Sequence, residues 1–480
     1  MAVLGHLEPQ SVFLFFEQIC AIPHGSGNTK AISDWLVRFA QVRGLEHVQD
    51  AWNNVIIIKK ATAGYENAAP VILQGHMDMV CAEAPGCKKD MAHEGLELAV
   101  EGDTVYAKGT TLGGDDGIAV AMALAVLDAH DLCHPRVEAV FTVDEETGMQ
   151  GAMHLDTGIL KGKRMLNLDS EVEGVFTVSC AGGNVSRCVL PVERADFSGP
   201  GFTISIDGLQ GGHSGVEIHK GRANANVLLG RVLYALRQKT AFRIAAVEGG
   251  RKDNAIPVSA RAAVVVAEEE AVRTVCADMQ ASFRNEYRVT DPGVSVTVSA
   301  DPCDTPLDEA STGRAVCMLS CLPDGIQAMS ADIPGLVQTS LNLGILTTEA
   351  QAVTASFCVR SSVASQKQML VNRLHCLMTQ LGGRLEVSGD YPGWEYRKES
   401  PLRELMTEVF TEQYGHAPQI EAIHAGVECG LFAGKIPGLD CVSFGPDLTD
   451  IHTFRERMHI ASVGRTWALV TEVLRRMKEL

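Results

Sequence analysis

Histidine and acidic residues recur at the ends of short apolar runs. His76 and Asp78 follow Val71-Ile72-Leu73-Gln74-Gly75, and Asp115 sits within Gly113-Gly114-Asp115-Asp116-Gly117. Glu145 and Glu146 follow Val140-Phe141-Thr142-Val143-Asp144, Asp169 follows Met165-Leu166-Asn167-Leu168, and His452 comes after Val442-Ser443-Phe444 and a loop. Imidazole and carboxylate together suit Zn2+, Mn2+ or Co2+, and no thiolate belongs to the set. Two such ions at roughly 3.5–4 Å need a shared anionic ligand to offset their repulsion. A carboxylate leaving a tight Gly-Gly turn is suited to approach both. In a turn after a strand, one of the adjacent Glu145 and Glu146 can ligate while the other moves protons.

Each group alone has an ordinary explanation. An aspartate in Gly113–Gly117 could cap a helix, Glu145-Glu146 could be solvated acid, and Asp169-Ser170-Glu171 could be a turn. What sets them apart is their shared context, each after a strand-like run. In an α/β sheet the carboxyl ends of the strands converge on one crevice.

The elements that must position these groups are legible up to about residue 180. Ser33–Val42 has helical spacing of Trp35, Leu36, Phe39 and Ala40. Asn54–Ile58, Pro70–Gln74, Val137–Val143 and Arg164–Leu168 read as strands, and Ile118–Leu127 as a helix apolar nearly all round, hence buried. This alternation predicts an α/β fold with a largely parallel sheet sandwiched by helices. From about Val185 the texture changes to alternating strands (Phe202–Ile206, Ala260–Val266) around one or two long helices such as Ala223–Lys239. Helical signals return at Pro401–Tyr414 and Ser462–Lys478, with a strand-like Leu439–Phe444 between them. The expected organisation is a discontinuous catalytic domain, 1–185 and 391–480, carrying an inserted α+β domain over 186–390.

The 480 residues carry 59 Asp plus Glu against 41 Lys plus Arg, a net charge of −18, which argues against nucleic acid or an anionic membrane as partner. The best apolar run, Ile118–Leu127, falls far short of the roughly 18–20 residues of a membrane span. The stretch Met1–Glu8 lacks the basic start of a secretory signal. Fourteen cysteines without a C-x-x-C pair, Cys317/Cys321 being an isolated C-x-x-x-C, read as reduced and mostly buried thiols. The expectation is a soluble cytoplasmic enzyme.

With these residues in view, the chain resembles the co-catalytic di-zinc dipeptidase, carboxypeptidase and deacylase superfamily. Within it the chain is most similar to the bacterial aminoacyl-histidine dipeptidases (peptidase D, Xaa-His dipeptidases). The matching stretches are Gln74–Val80, Gly109–Gly117, Thr142–Gly148, Leu166–Glu171 and His424–Gly430, and the most specific is Gly211-Gly212-His213-Ser214-Gly215 running on to Asn226. With His452 they span essentially the whole chain.

The resemblance implies two Zn2+ per subunit, with Mn2+ or Co2+ as substitutes. Asp115 would bridge them, with His76 and Asp169 completing one site and Glu146 and His452 the other. Asp78 would fix the His76 tautomer, and Glu145 would be the general base for the attacking water. His213, in an inserted lid and dimerisation domain, would stabilise the oxyanion. Arg360 and Asn254 would contact substrate, arginine suiting a terminal carboxylate through its planar fork, and Glu428 would either contact substrate or support the site from a helix entry behind it. The implied activity is hydrolysis of unblocked dipeptides, with a preference for Xaa-His (carnosine-like) substrates, by a homodimer. The alternatives are a metallo-carboxypeptidase, an N-acyl-amino-acid deacylase or a non-catalytic metal-binding homologue. The chain departs from the family's usual pattern in Thr453-Phe454 after His452 and in Asp116, where asparagine is common.

Overall fold

The computed structural model describes residues 3–480. Met1 and Ala2, at the head of the stretch read against a secretory signal, lie outside the described residues. The chain divides into two compact units: Met1–Ser179 with Tyr396–Ala422 and Val427–Leu480, and Cys180–Glu395 with Ile423–Gly426.

The first unit is built on an eight-stranded sheet in the order Glu46–Gln49, Val55–Lys59, Val137–Thr142, Val71–His76, Arg164–Asn167, Asp440–Ser443, Val175–Cys180, Gln419–Ile423. The strands from Val137–Thr142 to Asp440–Ser443 run parallel. Val55–Lys59 pairs antiparallel with both its neighbours, as Asp440–Ser443 does with Val175–Cys180, so the sheet is mixed, with the predicted parallel character at its centre. Val71–His76 and Val137–Thr142 are buried at every residue, as strands covered on both faces must be. The helix Gly114–Asp128, buried from Gly117 to Leu127, packs against Gln10–Cys20 and Val71–His76. Its all-round apolar surface follows from having protein on both sides.

The second unit is a nine-stranded sheet whose pairings are all antiparallel. Ala225–Arg237 buries Leu228, Leu229, Val232, Leu233 and Leu236 in a core shared with Ile204, Val264 and Phe357 of the sheet. Here the sequence reading fell short: Glu269–Glu286, Glu309–Cys321 and Ala364–Gln380 are also helices. Ala364–Gln380 buries only Leu370, Leu374 and Met378, a stripe too narrow to stand out among polar neighbours.

Among the described residues, no helix is long and apolar enough to cross a membrane. All fourteen cysteines are free, but only half are buried, and Cys81, Cys133, Cys321 and Cys376 are exposed.

Candidate active site

The central parallel strands deliver His76, Glu145 and Asp169 to one end of the sheet. Val71–His76 ends on His76, whose backbone N–H donates to Asp116 Oδ2 at 3.1 Å. This approach requires glycine at position 75, because a Cβ there would lie 2.6 Å from both Asp116 Oδ2 and Ala119 Cβ. His76 Nδ1 lies 3.0 Å from the backbone carbonyl of Asp78, which leaves Nε2 as the free ligand atom. The Asp78 carboxylate is farther from that ring, 3.5 Å, and accepts instead from Ser26 Oγ at 2.8 Å and the backbone N–H of Glu145 at 3.1 Å.

Asp115 lies in the glycine-rich loop, before the regular helix begins. Its Oδ1 is 3.1 Å from His76 Nε2 and its Oδ2 is 3.0 Å from His452 Nε2. Asp169 Oδ1 stands 3.5 Å from the same His76 nitrogen, and Glu146 Oε1 stands 2.8 Å from His452 Nε2. His452 comes from the turn before Arg457–His459 and holds a left-handed backbone, φ 60°, uncommon outside glycine. The structure thus gathers all five sequence-predicted ligands, with Glu145 and Asp78 beside them.

The electrostatics call for positive charge. Burial alone would push the His76 imidazole down, yet Asp169, Asp115 and Asp78 hold it well above its usual value. The carboxylates of Asp115 and Glu146 beside its ring push His452 up to about 10. Burial, reinforced by Asp169, Glu428 and Glu146 and opposed by His76, pushes Glu145 up to about 9. Among the described residues, no lysine or arginine pairs with Asp115, Glu145, Glu146 or Asp169. His76, Asp116 and Asp169; His76, Glu145 and Glu146; and Asp115, Glu146 and His452 each bring three ligand atoms within 4.8 Å of one another. The buried Glu146 Oε1 has no well-aligned hydrogen-bond donor despite its proximity to His452. A nitrogen-and-oxygen donor set with an orphaned carboxylate oxygen fits divalent cations.

Glu428 is fully buried, its Oε2 accepting from Gln74 Nε2 and Thr142 Oγ1, both at 2.6 Å. Its partners are therefore side chains of the central strands. Glu456, to which the sequence alone assigns no role, accepts four backbone N–H groups of the loop that carries Asp115. No local spacing signals that role, because the partners lie more than 340 residues apart.

Three predicted residues belong to the second unit. His213 Nδ1 accepts the backbone N–H groups of Gly215 and Val216, both at 3.1 Å, which puts the ring proton on Nε2. Burial and the nearby Arg360 lower its pKa, so the ring is neutral at pH 7. Arg360 is 6% exposed, reaches Tyr391 Oη from Nη1 at 3.3 Å and has a buried Nε without a partner. Asn254 has an exposed side chain and contributes its backbone carbonyl, which accepts from Ser214 N at 2.9 Å.

The chain is similar to known proteins along nearly its whole length. The cytosol non-specific dipeptidase of Escherichia coli K12 is 36% identical over 480 residues, 99% of each chain. The crystal structure of aminoacylhistidine dipeptidase from Vibrio alginolyticus superposes with a TM-score of 0.93 at 35% identity, covering 98% of this chain and 97% of that one. Aminopeptidase PepT from Bacillus cereus, 16% identical with 98% and 99% of the two chains covered, shares the fold at a TM-score of 0.58. Residues 72–476 match the description Peptidase family M20/M25/M40, a span holding every residue of the cluster, and the chain belongs to that family of peptidases.

Proposed function

We propose that this chain is a metal-dependent dipeptidase acting on unblocked dipeptides, Xaa-His among them. The observation that carries the reading is the Asp115 carboxylate, with one oxygen 3.1 Å from His76 Nε2 and the other 3.0 Å from His452 Nε2. Asp115 would bridge two ions, His76 and Asp169 completing one site and Glu146 and His452 the other. Asp115 is preferred to Asp116 as bridge because the Asp116 carboxylate is engaged by the His76 backbone. When bound there, two divalent cations, Zn2+ with Mn2+ or Co2+ as substitutes, would supply the Lewis acidity needed at the scissile carbonyl and the attacking water.

Glu145 takes a proton from that water as its oxygen attacks the carbonyl carbon, and then gives it to the amide nitrogen as the C–N bond breaks. His213, neutral with its proton on Nε2, donates to the oxyanion that develops at the carbonyl oxygen. Arg360, with donor capacity left over beside Tyr391, binds the substrate's terminal carboxylate, and Asn254 assists. Glu428 supports the strand floor beneath Glu145, consistent with its complete burial. The second unit acts as lid and dimerisation domain in a cytoplasmic homodimer. The names of the two full-length relatives support a dipeptide as substrate.

The test is hydrolysis of β-Ala-His, Gly-His, Leu-Gly and an N-acetyl amino acid by protein of assayed metal content, with and without chelator. Chelator-sensitive cleavage of the free dipeptides with the acetylated compound spared is expected. Cleavage of the acetylated compound alone would overturn the reading in favour of a deacylase.

A further inference from the structure

Glu456 is a carboxylate 2% exposed, with no lysine or arginine paired to it among the described residues. Its Oε2 accepts the backbone N–H groups of Leu112 at 2.7 Å and Gly113 at 3.0 Å. Its Oε1 accepts those of Gly114 at 2.8 Å and Asp115 at 3.3 Å. A carboxylate has about four lone-pair sites, and here all are used on successive residues of one loop. The left-handed conformation of Gly113, φ 69°, curls these N–H groups into a concavity of the kind that binds anions, and Glu456 is the anion it holds. Glycine at 114 leaves room for the contact, since a Cβ there would come within 3.1 Å of Glu456 Oε1.

The other end of Glu456 is tied to His452. The Glu456 backbone N–H donates to the Thr453 carbonyl at 3.1 Å, and Thr453 Oγ1 donates to the Asp450 carbonyl at 2.7 Å, closing the turn that presents His452. Beyond it, the short strand Arg457–His459 is anchored by the pairing of Met458 with Val105. One side chain therefore locks the loop of Asp115 to the turn of His452, two segments whose side chains meet at 3.0 Å.

We infer that Glu456 is a positioning residue that holds Asp115 and His452 in register and so sets the affinity of the metal position they share with Glu146. This rests on the two-metal reading proposed above. Outer groups of this kind typically change metal affinity by roughly 10–100-fold. The position built on His76 and Asp169 also takes Asp115 but not His452, so it should be weakened less.

The test is titration of metal-free wild-type and Glu456→Gln protein with Co2+, followed by visible absorption, with thermal melting of each metal-free protein alongside. The amide can accept on one side only, so two of the four N–H groups lose their acceptor. Two binding steps are expected in the wild type. In the variant one step should be weakened about 10–100-fold and the other distinctly less, with turnover recovered at saturating Co2+. Gly114→Ala, whose Cβ crowds Oε1 and Leu448 Cδ2 at 3.1 Å without changing charge, should weaken the same step and guards against misfolding of the first variant. Two unaltered steps in folded variants, or equal weakening of both, would overturn the inference alone. A wild type that takes up only one ion would remove the two-metal reading and this inference with it.

Discussion

Asp78 aligns Glu145 by accepting its backbone N–H at 3.1 Å, while the Asp78 carbonyl, not its carboxylate, makes the short contact to His76 Nδ1. The side chain thus serves the proposed base more directly than it serves the ligand. Asp78→Ala should therefore lower kcat by roughly 10–100-fold while metal content stays near that of the wild type. Turnover and metal assay on the same preparation check this. Loss of metal in step with turnover would show that the carboxylate is what fixes His76.

The adjacent glutamates should separate cleanly. Glu146 faces His452 at 2.8 Å, whereas the Glu145 main chain is held by Asp78. Glu145→Gln should retain metal and lose turnover by about 10²–10⁴-fold, the usual range for a displaced general base. Glu146→Gln should instead lose metal on the His452 side. The opposite pattern would exchange the two roles.

The five proposed ligands stood out as candidates because each lies near a strand end or a glycine turn, but local pattern left Asp78, Asp116 and Glu145 as equal candidates, and the choice among them came from the family resemblance. The groups beneath them did not stand out. Gln74 and Thr142 reach Glu428 across separations of 354 and 286 residues, and Asp116 touches the strand of His76 only because Gly75 has no side chain. Such contacts exist only once the sheet has formed. The central strands were visible as unbroken apolar runs, but direction is not encoded in such a run. The antiparallel pairing of Val55–Lys59 with both its neighbours therefore emerged only from the fold.

His213 is expected to act on the transition state alone. With Nδ1 committed to two backbone N–H groups, only Nε2–H is available to a developing oxyanion. His213→Ala should reduce kcat by about 10²–10³-fold, the typical loss for one oxyanion donor, with metal content unchanged. Steady-state kinetics with a parallel metal assay test it. A normal kcat would end the oxyanion assignment.

The second unit should carry an acid-labile histidine. His424 is 6% exposed, its Nε2 lies 2.7 Å from Ser340 Oγ, and burial together with Arg360 and His213 pushes its pKa down to about 3. The unfolded chain binds the proton near its ordinary value of 6.5, whereas the folded chain refuses it until about 3. Unfolding thus takes up a proton throughout that interval. The stability is fully present above 6.5 and is lost progressively as pH falls toward 3. Between pH 6.5 and 5 the loss amounts to about 2 kcal/mol. His424→Gln keeps a polar partner for Ser340 but cannot titrate, so its thermal midpoint should fall less than that of the wild type over the same interval. Metal-free protein is the right material, since the metal ligands titrate alike in both proteins and their contribution cancels in the difference. Parallel midpoints for the two proteins from pH 7 to 5 would show that the buried ring accepts its proton without cost to the fold.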